Sequence, residues 1–329
     1  MTEHTDPMSA RVGILSAAHV HAPGLAHNAR QAEGAELAGV WDDNATRGQQ
    51  AAKDWDTRWF DDLGDLLDAC DAVIICSENN SHARHVEAAC QAGRHILCEK
   101  PVAVSKADCD WIAHEVKASG IVFMTAFPCP FSPAFTQLQQ RVHDGVLGKV
   151  VGWNTTNQGT CPHGWFVEPA LSGGGALVDH VVHVTDLLRR LTKSEPVWVQ
   201  AFTGCGMYGK AWDDIAMVTL GFGDGSFATI DSSWSKIDYK TWGNVRLKAV
   251  GTAGTAEADL FGQGPDLYKG GHSHLGGGSD LNQLMVQEFV DAIREKRQPV
   301  SSLQDGLATS RVIRAGMASA KQKGIRVDL

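Results

Sequence analysis

Residues 71–103 read DAVIICSENNSHARHVEAACQAGRHILCEKPVA. An apolar run, "DAVIICS", leads into the helix-spaced "SHARHVEAACQAG" and then into a second apolar run, "RHILCEK". Strands that are apolar on every residue are buried on both faces. Two of them joined through a helix therefore imply parallel strands under helix cover. The same alternation extends to both sides. "RVGILSA" and "AELAGVWD" come before and "IVFMTAF" after, separated by "PGLAHNARQAEG", "NATRGQQAAKDW", the shorter "DDLGDLLDAC" and "SKADCDWIAHEVKASG". Gly34, Gly93 and Gly120 fall just past helical stretches, as stop signals should. Residues 1–127 are expected to form a doubly wound, nucleotide-binding Rossmann domain.

The pattern changes at "FPCPFSP" (127–133), where three prolines in seven residues read as an inter-domain crossing. Beyond it, a helix "AFTQLQQRVHDG" precedes the strand-like runs "VVGWNTTNQ", "PVWVQAFTG", "AMVTLGFGDGSFATIDSSW", "NVRLKAVG" and "GTAEADLFG". A hairpin is expected at Asp224-Gly225. One helix beginning near Gly175 interrupts the strands, and two more close the chain. Residues 128–329 are expected as an α+β domain with a large, mostly antiparallel sheet, for substrate binding and oligomerisation. Its last helix is a candidate to pack back on the first domain. "GGHSHLGGGSD" (270–280) reads as a glycine-rich loop.

The chain has 329 residues, 43% hydrophobic and 20% charged, which is ordinary for a soluble two-domain protein. A net charge of −9 without a long basic run argues against nucleic acid or an anionic membrane as partner. The opening "MTEHTDPMSARVG" has no apolar segment of signal-peptide length, and no later run approaches a membrane span. Eight cysteines without a CxxC pair, several in strand-like runs, read as reduced thiols of a cytoplasmic protein.

Three motifs carry chemistry. Asp42 closes the second strand, where a carboxylate accepts hydrogen bonds from an adenosine ribose and repels a 2′-phosphate, favouring NAD over NADP. A solvated or helix-capping aspartate is the plainer alternative. In "CEKPVA" (98–103), Pro101 ends a strand and leaves Lys100 at the ligand edge of the sheet. There its charge would stabilise a developing alkoxide, although an exposed strand-end lysine is also common. In "GGGALVDHVVHVTDLLRRL" (173–191), Asp179 and His183 are four apart on one helix face and Asp186 follows three further on. His180, one position round, is expected to point elsewhere. An imidazole beside a carboxylate is a competent base at neutral pH; a packed core histidine is the alternative.

Together these motifs resemble the glucose–fructose oxidoreductase/inositol dehydrogenase (Gfo/Idh/MocA) family of NAD(P)-dependent oxidoreductases. The strongest stretches are "VIICSENNSHARHVEAACQAGRHILCEKPVA" and "SGGGALVDHVVHVTDLL", with "DDIAMVTLGFGDGSFATIDSSW" and "VRLKAVGTAGTAEADLF" behind them. The resemblance implies Lys100 near the nicotinamide and the reacting hydroxyl, His183 as acid/base and Asp179 as its orienting partner. It also implies that Ser77, Asn79 and His82 line the cofactor, and that Glu99 and Pro101 complete the strand-end motif, whose proline peptide is a candidate for cis.

Two departures stand out. The family's first loop usually carries glycines, whereas "LSAAHVHA" (15–22) offers Ser16, Ala17, Ala18, His19 and His21. Gly24 is then the candidate for close helix–strand approach. The two histidines are open to three readings: packing, cofactor or substrate contact, or a metal site. The metal reading lacks a ligand spacing of its own, so no metal is expected. The crossing "AFPCPFSP" also lacks the family's frequent arginine, which makes the substrate pocket there more apolar.

The expected activity is oxidation of a secondary hydroxyl of a sugar, cyclitol or glycoside by hydride transfer to NAD, or to NADP. His163, Trp165 and His180 join Lys100, Asp179 and His183 as candidate substrate contacts. Trp153, Trp165, Trp234 and Trp242 are candidates to stack on sugar faces or to pack in the core. Two alternatives stay open: a glycoside-cleaving enzyme that uses bound NAD for transient oxidation, and a non-catalytic nucleotide-binding protein. An antiparallel sheet with one open face suggests a homodimer or homotetramer.

Overall fold

The computed structural model describes residues 9–237, 243–262, 266–268, 272–274 and 278–329. The chain divides into two compact units, 1–126 with 282–304 and 127–281 with 305–329.

The first unit begins β1 (Ala10–Leu15), α1 (Ala22–Gln31), β2 (Ala35–Trp41), α2 (Ala45–Asp54), α3 (Leu63–Ala69) and β3 (Ala72–Ile75). It continues α4 (His82–Gln91), β4 (His95–Cys98), α5 (Lys106–Ser119) and β5 (Phe123–Thr125). The five strands are all parallel, in the order β2-β1-β3-β4-β5. Every residue of the central strand β3 is buried, so the continuous apolar run meant what it should. β2 is an edge strand and only half buried, which is why "AELAGVW" carries a glutamate. Helix starts follow local chemistry: Asn44, Asp62 and Ser105 accept backbone amides at the heads of α2, α3 and α5. α5 ends at Gly120, whose φ of 67° is the left-handed conformation glycine adopts without strain.

The second unit holds α6 (Pro133–His143), β6 (Val150–Gln158), α7 (Pro169–Ser172), α8 (Ala176–Thr192), β7 (Pro196–Gly204), β8 (Ile215–Phe222) and β9 (Phe227–Ser233). It continues β10 (Asn244–Gly251), β11 (Thr255–Asp259), β12 (Asp266–Tyr268) and β13 (His272–His274). Then come α9 (Leu281–Glu295), α10 (Leu303–Lys321) and β14 (Val327–Asp328). Seven strands form one sheet, β11-β10-β6-β9-β8-β7-β14, antiparallel except for β6 beside β9. The β8–β9 hairpin turns at Asp224-Gly225 as expected, with Gly225 at φ 87°. The stretch expected as a plain glycine-rich loop contributes β13, paired with β12.

Alternate sheet residues (Ala201, Val218, Leu220, Ala228, Ile230, Leu247) are buried, and α8 packs on β6, β8 and β9. Phe202, Met217 and Phe227 stay about half exposed. The segment that joins the first unit is 282–304, which carries α9, whereas the last helix, α10, lies within the second unit from residue 305. Gln287 Oε1 accepts the Glu33 amide at 2.7 Å. Residues 301–302 cover the edge strand β5, with the Thr125 amide 2.8 Å from the Ser301 carbonyl. All eight cysteines are free thiols, seven buried and Cys205 exposed.

Candidate active site

In the first unit, the β1–α1 loop is stitched to the end of β2. Ser16 adopts φ 73°, a conformation normally left to glycine. Its hydroxyl donates to Asp42 Oδ2 at 3.1 Å and accepts the Ala18 amide at 3.2 Å, which compensates the strain. Asp42, 3% exposed, also takes the amides of Ala17 and Asn44 at 2.7 Å and Arg47 Nε at 2.8 Å. Arg47 is shared among Asp42, Asp43 and Glu78. Burial lowers its pKa, but Asp42 and Glu78 outweigh that and raise it. The arginine that could have received a 2′-phosphate is thus already neutralised, which suits NAD.

α1 starts directly after His21. Gly24 is not the packing glycine expected from the sequence. A Cβ there would meet nothing within 4 Å; Ala22, Leu25 and Ala26 make the buried face instead. Gly24 is exposed, and the first turn of α1 carries no acidic residue. Ser77 and His82 are both fully buried. Ser77 Oγ lies 2.9 Å from His85 Nδ1, and His82 Nδ1 lies 2.9 Å from the Pro101 carbonyl. Burial lowers the His82 pKa, so its neutral ring braces the head of α4 against the strand-end motif. Asn79 is 7% exposed beside them.

Lys100 is buried at the end of β4, and its bond to Pro101 is cis. Glu99 is 1% exposed, with Oε1 3.0 Å from His21 Nδ1 and 3.7 Å from His19 Nδ1. Burial alone would raise the Glu99 carboxyl, but the two imidazoles and Lys100 outweigh it and hold it below the usual carboxylate range. Among the described residues, His19, His21 and Glu99 are the group whose potential metal-ligand atoms converge, all within 4.8 Å. Sequence spacing hid this cluster because its carboxylate comes from a strand end nearly eighty residues away.

In the second unit, the head of α8 positions the candidate base. Its N-terminal amides are capped from a distance: Asp213 Oδ1 accepts the Gly175 amide at 3.0 Å and Oδ2 the Leu177 amide at 2.8 Å. A Cβ at Gly175 would collide with the Asp213 carbonyl, so the glycine run is required there. Asp179 Oδ2 accepts Trp234 Nε1 at 3.0 Å and lies 3.2 Å from His180 Nε2. His180 therefore does not point elsewhere; it shares the Asp179 carboxylate. His183 sits edge-on to Phe127, ring centroids 5.8 Å apart, so the aromatic crossing supplies the apolar wall its missing arginine implied. Asp186 turns away to a bidentate pair with Arg190 at 2.9 and 3.0 Å. Burial is the main reason its pKa is raised.

The remaining candidates separate. His163 is exposed, with φ 57°, and its ring lies 5.9 Å from Tyr208. Trp165 stacks on Phe166 with centroids 3.9 Å apart. Trp153 and Trp234 are at most 1% exposed, which makes them core residues; Trp242 lies outside the described residues.

Five parallel strands in the order β2-β1-β3-β4-β5, with helices between them, give the first unit a Rossmann fold. Residues 10–127 match the family model "Oxidoreductase family, NAD-binding Rossmann fold" and 135–257 match "GFO/IDH/MocA C-terminal domain". The chain belongs to the Gfo/Idh/MocA family.

Myo-inositol 2-dehydrogenase of Thermotoga maritima is 31% identical over 198 residues, covering 57% of this chain and 56% of that enzyme. The scyllo-inositol 2-dehydrogenase (NAD(+)) of Bacillus subtilis is 24% identical over 321 residues, covering 86% and 88%. Among solved structures, GenD2 from gentamicin A biosynthesis, in complex with NAD, superimposes with a TM-score of 0.88 at 23% identity. That match covers 98% of this chain and 97% of GenD2. No helix among the described residues is long and apolar enough to cross a membrane.

Proposed function

We propose that the protein is an NAD-dependent dehydrogenase that oxidises a secondary hydroxyl of a cyclitol, sugar or glycoside. The observation that carries this reading is Asp179, held by the Trp234 indole at the head of a helix that also presents His180 and His183. In this reading His183 removes the hydroxyl proton, and Asp179 supplies the negative charge that favours its protonated form. Lys100 stabilises the oxygen as it becomes an alkoxide. Ser16 to Ala18, Asp42, Asn79 and the head of α1 hold the cofactor, which when bound accepts the hydride. His180 shares the Asp179 charge, and His163 and Trp165 are the candidates to contact the rest of the substrate.

The names of the two inositol dehydrogenases make myo- and scyllo-inositol the first substrates to test. A panel of inositols, sugars and glycosides, followed by NADH absorbance, is the experiment; Lys100→Ala and His183→Ala should abolish any hit. Calorimetric titration with NAD and NADP separates this reading from a non-catalytic nucleotide-binding protein. The half-exposed Phe202, Met217 and Phe227 on the sheet support a homodimer or homotetramer closed through that face, and the eight free thiols suit the cytoplasm.

A further inference from the structure

His19, His21 and Glu99 all belong to the first unit and take no part in the hydride transfer proposed above, yet their positions are fixed closely. The His19 amide donates to the Cys76 carbonyl at 2.9 Å, and the Glu99 amide to the Ile75 carbonyl at 3.0 Å. The His21 carbonyl accepts the Leu25 amide at 2.9 Å, which ties that residue to the first turn of α1. Glu99 Oε2 accepts the Lys100 amide at 3.2 Å and so turns Oε1 towards the imidazoles. The His19 and Glu99 side chains are buried, whereas the His21 ring is 29% exposed and makes no cap hydrogen bond. Val20, between the two histidines, is exposed, so the cluster has a buried floor and an opening to solvent.

The spacing is that of a metal site. With tetrahedral bonds of about 2.1 Å, two ligand atoms stand about 3.4 Å apart. Glu99 Oε1 is 3.0 Å from His21 Nδ1 and 3.7 Å from His19 Nδ1, one on either side of that value. One ligand atom from each of the three residues falls within 4.8 Å of the others. The tautomer of His19 suits the same use. Its Nδ1 accepts the His21 amide at 3.1 Å, so that nitrogen carries a lone pair and not a proton. A cation would exchange this one hydrogen bond for a coordinate bond.

We propose that His19, His21 and Glu99 form a three-ligand site for Zn²⁺, with the fourth position open to water on the exposed side of His21. Two imidazoles and one carboxylate with an open position are a donor set that zinc takes in catalytic sites. Ca²⁺ and Mg²⁺ would find a single carboxylate where they need several oxygen ligands. Lys100, whose positive charge acts on Glu99, further disfavours a cation held by charge alone. The bound ion would tie the β1–α1 loop to the end of β4 and carry a water molecule at the edge of the sheet.

The test strips the full-length protein with a chelator and titrates it with Zn²⁺, in the absence of any alcohol or nicotinamide. Calorimetry and elemental analysis after dialysis should find about one Zn²⁺ per chain, and zinc should raise the melting temperature. Co²⁺ in its place should give visible absorption bands. Losing a ligand should weaken binding by more than the about tenfold that an outer-shell partner is worth, so His21→Ala and Glu99→Gln should each exceed that and lose the cobalt bands. Glu99→Asp should recover part of the affinity, and His114→Ala, an exposed histidine on α5, should bind as wild type does. Melting curves of the metal-free variants identify any that fail to fold; the partly exposed His21 ring makes His21→Ala the mildest of them.

Wild type without stoichiometric zinc, or zinc affinity unchanged in either His21→Ala or Glu99→Gln, would overturn the site. An equal loss in His114→Ala would overturn it too, by placing the ion on surface histidines. Because zinc is read without substrate or cofactor, either result leaves the dehydrogenase reading intact, and a failure of NADH formation leaves the zinc site intact.

Discussion

Replacing Trp234 by Phe separates a packing role from a chemical one. The indole is fully buried, and its Nε1 donates to Asp179 Oδ2 at 3.0 Å. Its hydrogen bond to a charged acceptor contributes about 1.5–3 kcal/mol, and the smaller ring also leaves a void in the core. The variant should therefore be destabilised by about 2–4 kcal/mol yet still fold. If Asp179 steadies the catalytic imidazole, losing about 1.5–3 kcal/mol of its positioning should lower kcat by about 10- to 150-fold, with a smaller change in KM. The assay is steady-state NADH formation below the variant's melting temperature, run as a cycle with Asp179→Asn. The double variant should be no slower than Asp179→Asn alone, because the indole acts through that carboxylate. Additive losses, or a Trp234→Phe enzyme with wild-type kcat, would refute the reasoning.

Three further outcomes follow from the geometry. His85 is buried and its pKa is lowered to about 3, so the unfolded state binds the extra proton and stability falls as pH drops from about 6.5 towards 3. At pH 5 the loss should be about 2 kcal/mol, seen in urea midpoints and diminished in His85→Gln. Gly175→Ala sets a Cβ against the Asp213 carbonyl; it should cost more than about 3 kcal/mol by denaturant melts, and a wild-type midpoint would contradict the cap. NAD should bind at least tenfold (about 1.4 kcal/mol) more tightly than NADP by calorimetry. Asp42→Ala, which removes one of the three carboxylates that hold Arg47, should narrow that gap.

The parallel sheet was legible because strands buried on both faces must be apolar throughout, and "AVII" and "HILC" are. The head of α8 was legible too, since glycines followed by an amphipathic run mark a helix start. Tertiary partners were not. The Asp213 cap on α8 and the Trp234 bond to Asp179 come from strands and loops tens of residues away, and no local spacing announces them. Helical spacing linked Asp179 to His183, but it gave no warning that rotamer choice would bring His180 Nε2 to 3.2 Å. The loop "LSAAHVHA" was misleading in a physical way. Its serine takes a conformation normally left to glycine while its hydroxyl bonds Asp42, which the letters alone do not announce.

The proposed reaction passes hydride from a secondary alcohol to NAD, with Lys100 and His183 acting on one hydroxyl. The most direct measurement is a primary deuterium isotope effect on NADH formation, using inositol or sugar substrate labelled at the reacting carbon. Wild type should transfer the label stereospecifically to the nicotinamide, and Lys100→Ala and His183→Ala should each lose at least about 100-fold in kcat. Label appearing in water instead of NADH, or wild-type turnover in either variant, would contradict it.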